Sequence, residues 1–230
     1  MRRSLVVSLA LLAIVRSQAV AQSCQGMASF SAGQMQVAGN AQFGDLTNSF
    51  GAGVAYGLPS GLYAGANLST TSFDGIDQKS LGVGANVGYQ MSVGKGSKIS
   101  LCPVARLAIG MGPDDAASDI NSSSTDMHFG LAVGTSMGTN PRMQILPNAG
   151  LGLSYTKFKV EDTGPGGSTA EASETYPLAR LGLGLIFNQQ ISVRPTIDIP
   201  VGSDLINDPT FGVSVGYNFG NKGVSKARRH

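Results

Sequence analysis

Stretches in which every second residue is apolar recur along this chain, and no other feature narrows its fold as much. Leu81, Val83, Ala85, Val87, Tyr89 and Met91 alternate with Gly82, Gly84, Asn86, Gly88 and Gln90. Ala179, Leu181, Leu183, Leu185 and Phe187 alternate with Arg180, Gly182 and Gly184, with Ile186 the exception. Ile191, Val193, Pro195, Ile197 and Ile199 alternate with Ser192, Arg194, Thr196 and Asp198. Phe211, Val213, Val215, Tyr217 and Phe219 alternate with Gly212, Ser214, Gly216 and Asn218. Successive side chains leave a strand on opposite sides, so a period of two marks an extended strand with one apolar face. The pattern predicts strands near residues 35–43, 50–58, 62–70, 81–93, 98–111, 127–138, 143–158, 176–187, 191–201 and 211–219. The fold class is all-β.

A soluble sandwich also alternates, with its apolar faces turned inward. Three features favour a sheet whose apolar face meets lipid. Connectors alternate in length: 59–61, 94–97, 139–142 and 188–190 are short, whereas 71–80, 112–126, 160–174 and 202–210 are longer. Outer-membrane barrels have short periplasmic turns and long external loops. The connector 44–49 fits this less well.

Aromatic residues also gather at strand ends. Tyr56, Tyr63, Tyr89, Phe187, Tyr217 and Phe219 fall at one end; Phe43, Phe50, Phe129, Tyr155, Phe158, Tyr176 and Phe211 fall at the other. Two interfacial girdles would have this distribution. Finally, charge is sorted. Every acid except Asp198 lies in or beside a connector on the long-loop side, from Asp45, Asp74 and Asp77 through Asp114, Asp115, Asp119 and Asp126 to Glu161, Asp162, Glu171, Glu174, Asp204 and Asp208. Lys95, Lys98 and Arg142 lie at short turns, and Lys79, Lys157 and Lys159 are the basic exceptions. The expected architecture is a closed antiparallel up-and-down transmembrane β-barrel of about ten strands, with eight as the alternative.

The chain opens with an export signal. Arg2 and Arg3 precede an apolar run over 5–15, which is short of the roughly twenty residues that cross a bilayer. Ala19-Val20-Ala21 supplies a small-x-small cleavage pattern. Residues 1–21 read as a signal peptide, 22–34 as a periplasmic N-terminal segment, 35–219 as the barrel and 220–230 as a basic periplasmic tail. Ala21-Gln22-Ser23 before Cys24 fits a lipidation box poorly. Loss of Arg2, Arg3 and Arg16 with the signal turns the formal +2 slightly acidic. A charged fraction of 13% is low for a soluble domain, and no later run is apolar enough for a membrane helix.

In this pattern the chain resembles the small bacterial outer-membrane β-barrel proteins of the broad OmpA/OmpX-like class, over roughly residues 35–219. The sharpest local match is the last strand, Phe211-Gly-Val-Ser-Val-Gly-Tyr-Asn-Phe219. It resembles the C-terminal signal by which such barrels are recognised for assembly, with Tyr217 and Phe219 as its aromatic positions. Members of the class usually stop at that aromatic, whereas this chain continues to His230. The resemblance implies a bacterial outer-membrane location. It implies contact with outer-membrane lipid and lipopolysaccharide, and handling by the barrel-assembly machinery.

The face predicted to point inward is rich in Gly, which lets a narrow barrel curve around a few large side chains. Its charged set is Arg106, Arg180, Arg194 and Asp198. If 188–190 is a three-residue turn, Phe187 faces Ile191 and Arg180 stands opposite Asp198. An interior ion-pair network is expected, since an unpaired buried charge is costly; a constricted, mildly positive pore is the alternative. Cys24 precedes the first strand, Cys102 points inward, and export delivers both to an oxidising compartment. A disulfide would tie the N-terminal segment into the lumen as a partial plug.

Asp126-Met-His128 puts a carboxylate and an imidazole on one face. It resembles the catalytic pair of omptin proteases, which are also ten-stranded; those are longer and carry a second pair of acids, for which only Asp74/Asp77 or Asp114/Asp115 could be offered. The plainer reading is an interfacial His beside a loop acid. No catalytic residue, metal site or cofactor is assigned, and no basic-aromatic surface for nucleic acid is present. The leading expectation is a non-enzymatic barrel with a structural or surface-interaction role. A small pore for ions or small solutes is second, and an omptin-like protease third.

Overall fold

The structure, a computed structural model, describes residues 23–27, 33–45, 47–58, 61–74, 76–94, 97–112, 120–137, 142–164 and 166–219. The segments read from the sequence as a signal peptide, 1–21, and a basic tail, 220–230, lie outside these residues. Ten strands follow the alternating segments: β1 Met35–Phe43, β2 Thr47–Gly57, β3 Leu62–Phe73, β4 Ile76–Tyr89, β5 Ile99–Met111, β6 Ile120–Thr135, β7 Met143–Asp162, β8 Thr169–Phe187, β9 Ile191–Pro200 and β10 Thr210–Phe219. A short piece, Met91–Ser92, prolongs β4 along β5. Each strand pairs antiparallel with its neighbours in sequence, and β10 pairs back onto β1, with Phe219 against Met35 and Phe211 against Phe43. The sheet therefore closes, and no edge is left along the barrel wall.

The register fixes the shape. From Ile191, direct partners lead through Tyr217, Val37, Val54, Ala66, Ala85, Leu107, Met127 and Tyr155 to Thr175. Thr175 lies on β8, where the direct partner of Ile191 is Phe187. One circuit thus slips by twelve residues, the distance from 175 to 187. Such a stagger inclines the strands to the axis by about 40°.

This circuit runs along the outer face, and nearly all of its side chains are apolar. Phe129 and Leu151 are each 64% exposed, while Gln36, Ser100 and Ser192 are almost wholly buried. Apolar groups outside and polar groups inside exclude the soluble sandwich, because that surface is stable only against lipid.

Strands overrun the sequence-based boundaries mainly at one rim, the distal one, opposite the rim that carries Met35 and Phe219. β6 begins at Ile120, β7 runs to Asp162 and β8 begins at Thr169. The connectors expected over 112–126 and 160–174 are thus partly strand, and that expected over 71–80 is strand as far as Phe73 and again from Ile76. Beyond the bilayer both faces meet water, so the apolar alternation stops while the hydrogen-bonded ladder continues. Exposed pairs Lys157–Glu171, at 2.9 Å, and Lys159–Glu161 decorate this extension.

Two aromatics expected in the girdles, Tyr63 and Tyr176, instead point into the barrel and are buried. Their places in the alternation, beside outward Leu62 and Pro177, put them on the inner face.

Candidate functional site in the barrel lumen

The inner wall is built from large side chains set against glycines. Tyr63 of β3 lies flat over Gly88 of β4, where no Cβ could fit. The His128 ring of β6 rests over Gly130 and Gly152; a Cβ on either glycine would lie 2.7 Å from the ring. At the closing pair, Gln36 Nε2 donates to Asn218 Oδ1 at 2.9 Å and to Ser192 Oγ at 3.2 Å. This buried polar contact joins β1, β9 and β10.

The N-terminal segment enters the lumen at the terminal rim. Ser23–Gln25 forms one 3₁₀ turn. Cys24 is bonded to Cys102 of β5, with Cα atoms 6.1 Å apart, and both are buried with Ala132 and Val104. Gly26 has a positive φ of 62° and lies against Gly184 of β8 and Asn148 of β7. Met27 is buried against Tyr63 and Ala55. β3 and β8 stand five strands apart in a ring of ten, so residues 24–27 cross the lumen from wall to wall.

Farther from the terminal rim are the predicted charged residues. A turn with Asn188 and Gln189 at φ 50° and 60° is closed by a hydrogen bond from Gln190 N–H to Phe187 C=O, and it sets Phe187 opposite Ile191. Positive φ at both central residues suits the right-handed twist of hairpin strands. That register puts Arg180 opposite Asp198, and the guanidinium engages both carboxylate oxygens through Nε and Nη2. Arg194 of β9 donates from Nη2 to Ser214 Oγ at 2.8 Å. Arg106 projects from β5, on the far side of the lumen, between Asn86 and His128 in register. Arg106 and Arg194 therefore do not join the ion pair: among the described residues neither has a carboxylate partner.

Asp126 and His128 lie on one face of β6, but each is held by the residue opposite it on β7 and not by the other. Thr156 Oγ1 donates to Asp126 Oδ1 at 2.8 Å, which leaves the Tyr176 hydroxyl, 3.4 Å away, to donate to Thr156. Ser154 Oγ lies 2.9 Å from His128 Nδ1. Sequence reading missed Ser154 and Thr156 as partners because counting across the connector expected at 139–142 sets Ser154 opposite Met127, one residue out of the observed register, and it missed Tyr176 because the connector before that strand is long. Asp74 sits exposed at the β3–β4 turn, Asp114 and Asp115 lie outside the described residues, and the side chain of Asp77 is likewise not described. Tyr217 and Phe219 point to lipid and meet edge to face, centroids 4.8 Å apart.

The family model of the outer membrane protein beta-barrel domain matches residues 55–219. No curated protein matches. Among solved structures, the chain is similar to the N-terminal β-barrel domain of Pseudomonas aeruginosa OprF, at 13% identity and TM-score 0.38, covering 82% of this chain and 98% of that one. It is similar to Ail, the attachment invasion locus protein of Yersinia pestis, at 14% identity and TM-score 0.42, covering 82% and 100%. It is also similar to the translocator domain of the autotransporter NalP from Neisseria meningitidis, at 13% identity and TM-score 0.49, covering 82% and 88%.

Proposed function

Because this chain belongs to the outer membrane protein β-barrel domain family, and so resides in the bacterial outer membrane, we propose that it serves there as a non-enzymatic barrel with a structural or surface-interaction role. The observation that carries this reading is the lumen-crossing segment. Residues 24–27, buried except for the partly buried Gln25, reach opposite walls and are covalently held at Cys102, which favours a closed lumen over a transport path. The terminal rim, which carries Met35 and Phe219 at the two ends of the barrel, faces the periplasm. The distal rim, with β6, β7 and β8 projecting and Glu161, Asp162, Glu171 and Glu174 upon them, faces outward. The apolar belt between them meets lipid and, in the outer leaflet, lipopolysaccharide, while Tyr217 and Phe219 serve recognition by the assembly machinery.

Planar-bilayer recording tests the reading. The refolded, disulfide-intact exported chain, shown to be folded by its heat-shifted gel mobility, is expected to pass no current. Stable steps altered by Arg106→Ala or Arg180→Ala would replace it with the pore reading.

A further inference from the structure

The lumen wall carries more positive charge than it compensates. Asp198 is committed through both oxygens to Arg180. Asp126 accepts from Thr156, nearer the distal rim. Across the lumen Arg106 feels Arg180 and Arg194, with Asp198 acting against them. Arg194 has one hydrogen bond, to Ser214, and its buried Nε has no partner among the described residues. A buried donor left unmade is an exception that calls for a missing acceptor.

Space for one exists. Arg180 and Asp198 point inward yet keep 22% and 16% of their side-chain surface accessible, so the interior beside them is hollow to a water-sized sphere. Arg106 and Arg194, on the same inner face, are likewise only partly buried, and two guanidinium groups without carboxylates in a low-dielectric wall form an anion trap. Their planar forks match an edge of two oxygens better than a spherical ion.

We propose that the lumen binds a small oxyanion of the phosphate or carboxylate type between Arg106 and Arg194, with the Arg180–Asp198 pair forming the adjacent wall. The site does not depend on whether the N-terminal segment closes the barrel, since it uses strand residues only.

The test uses the exported chain refolded in detergent micelles, with inorganic phosphate titrated against chloride at constant ionic strength. Saturable broadening of the phosphorus NMR signal is expected, with a rise in the thermal midpoint of the gel-mobility shift. The double variant Arg106→Gln/Arg194→Gln should lose both effects, and Lys157→Gln, on the exposed extension, should keep them. Asp198→Asn removes the carboxylate that holds Arg180 and should tighten phosphate binding several-fold. Should the double variant fail to fold, Asp198→Asn decides alone. No saturable broadening by the folded protein, an unchanged response in the double variant, or unchanged or weaker binding in Asp198→Asn would overturn the proposal.

Discussion

Asp198 spends both of its oxygens on Arg180, and that single commitment determines how the rest of the lumen charge behaves. Removing one member of such a buried pair strands the other and typically costs about 3–5 kcal/mol, whereas replacing both by apolar groups is often neutral. Arg106 also acts on Asp198 across the lumen and takes up part of the loss. Arg180→Met is therefore expected to cost about 3 kcal/mol, the low end, and Arg180→Met/Asp198→Leu less than about 1 kcal/mol. Urea unfolding from micelles measures both; equal losses in the single and double variants would contradict the argument.

A second residue, Glu174, works beyond the distal bilayer boundary. Its carboxylate accepts from Ser203 Oγ at 2.6 Å and from the amides of Leu205 and Asp204 at 3.0 Å, which pins the β9–β10 loop to β8. Those bonds, the Ser203 hydroxyl first, hold its pKa below the ordinary 4.5. A lowered pKa means the clamp is fully present above 4.5 and is lost as pH falls through the folded value. Hydrogen exchange at Asp204 and Leu205 should lose protection over that acidic window. In Glu174→Gln the protection should be lower at neutral pH and flat with pH.

Between strand and strand, the N-terminal segment depends on one place where backbone meets backbone. A Cβ at Gly184 would strike Gly26 itself, not a side chain that can swing away. Gly184→Ala should keep the segment from seating and leave Cys24 far from Cys102. The expected result is free thiol at both cysteines after oxidative refolding, read by maleimide mass shift, with the barrel itself still heat-modifiable. Complete disulfide formation in that variant would mean the contact is not required.

The plug also marks the limit of what the sequence makes legible. Strand periodicity exposes β1 to the residue and β10 to within one, and the short 188–190 connector allows Arg180 to be counted against Asp198. The route of residues 24–27 has no period to betray it. Ser154 facing His128 is hidden for a related reason: a one-residue error in the ends of the 139–142 connector slips the register and turns Ser154 away from His128. The added lengths of β6, β7 and β8 are hidden because hydropathy reports which solvent a face meets, and above the membrane both faces meet the same one. Tyr63 and Tyr176 were readable by parity, but strand-end position outweighed it.

At the scale of the whole barrel, the decisive event is closure of β10 onto β1, nine direct pairs from Met35–Phe219 to Phe43–Phe211. Nothing downstream can correct a slip there, because the twelve-residue stagger is the product of every register around the ring. Gln36 pins the pairing from inside through Asn218 and Ser192. Tyr217 and Phe219 stand outside at 42% and 44% exposure, where they contribute little to the ladder. The proposed assembly role puts their use before closure, when β10 is still an unpaired strand whose aromatic edge is open to recognition.

This separates rate from stability in a way that can be measured. Tyr217→Ala/Phe219→Ala should leave the urea midpoint of protein refolded into lipid vesicles nearly unchanged. The amount assembled in cells should fall about tenfold, the effect of losing about 1.4 kcal/mol of recognition. Gln36→Leu should do the reverse: recognition is untouched, but Ser192 and Asn218 lose a buried partner, costing about 1–3 kcal/mol of folded stability. If the aromatic variant lost stability in vesicles to the same degree as assembly in cells, the two rings would be structural parts of the finished wall, and the outer face of β10 would carry no signal.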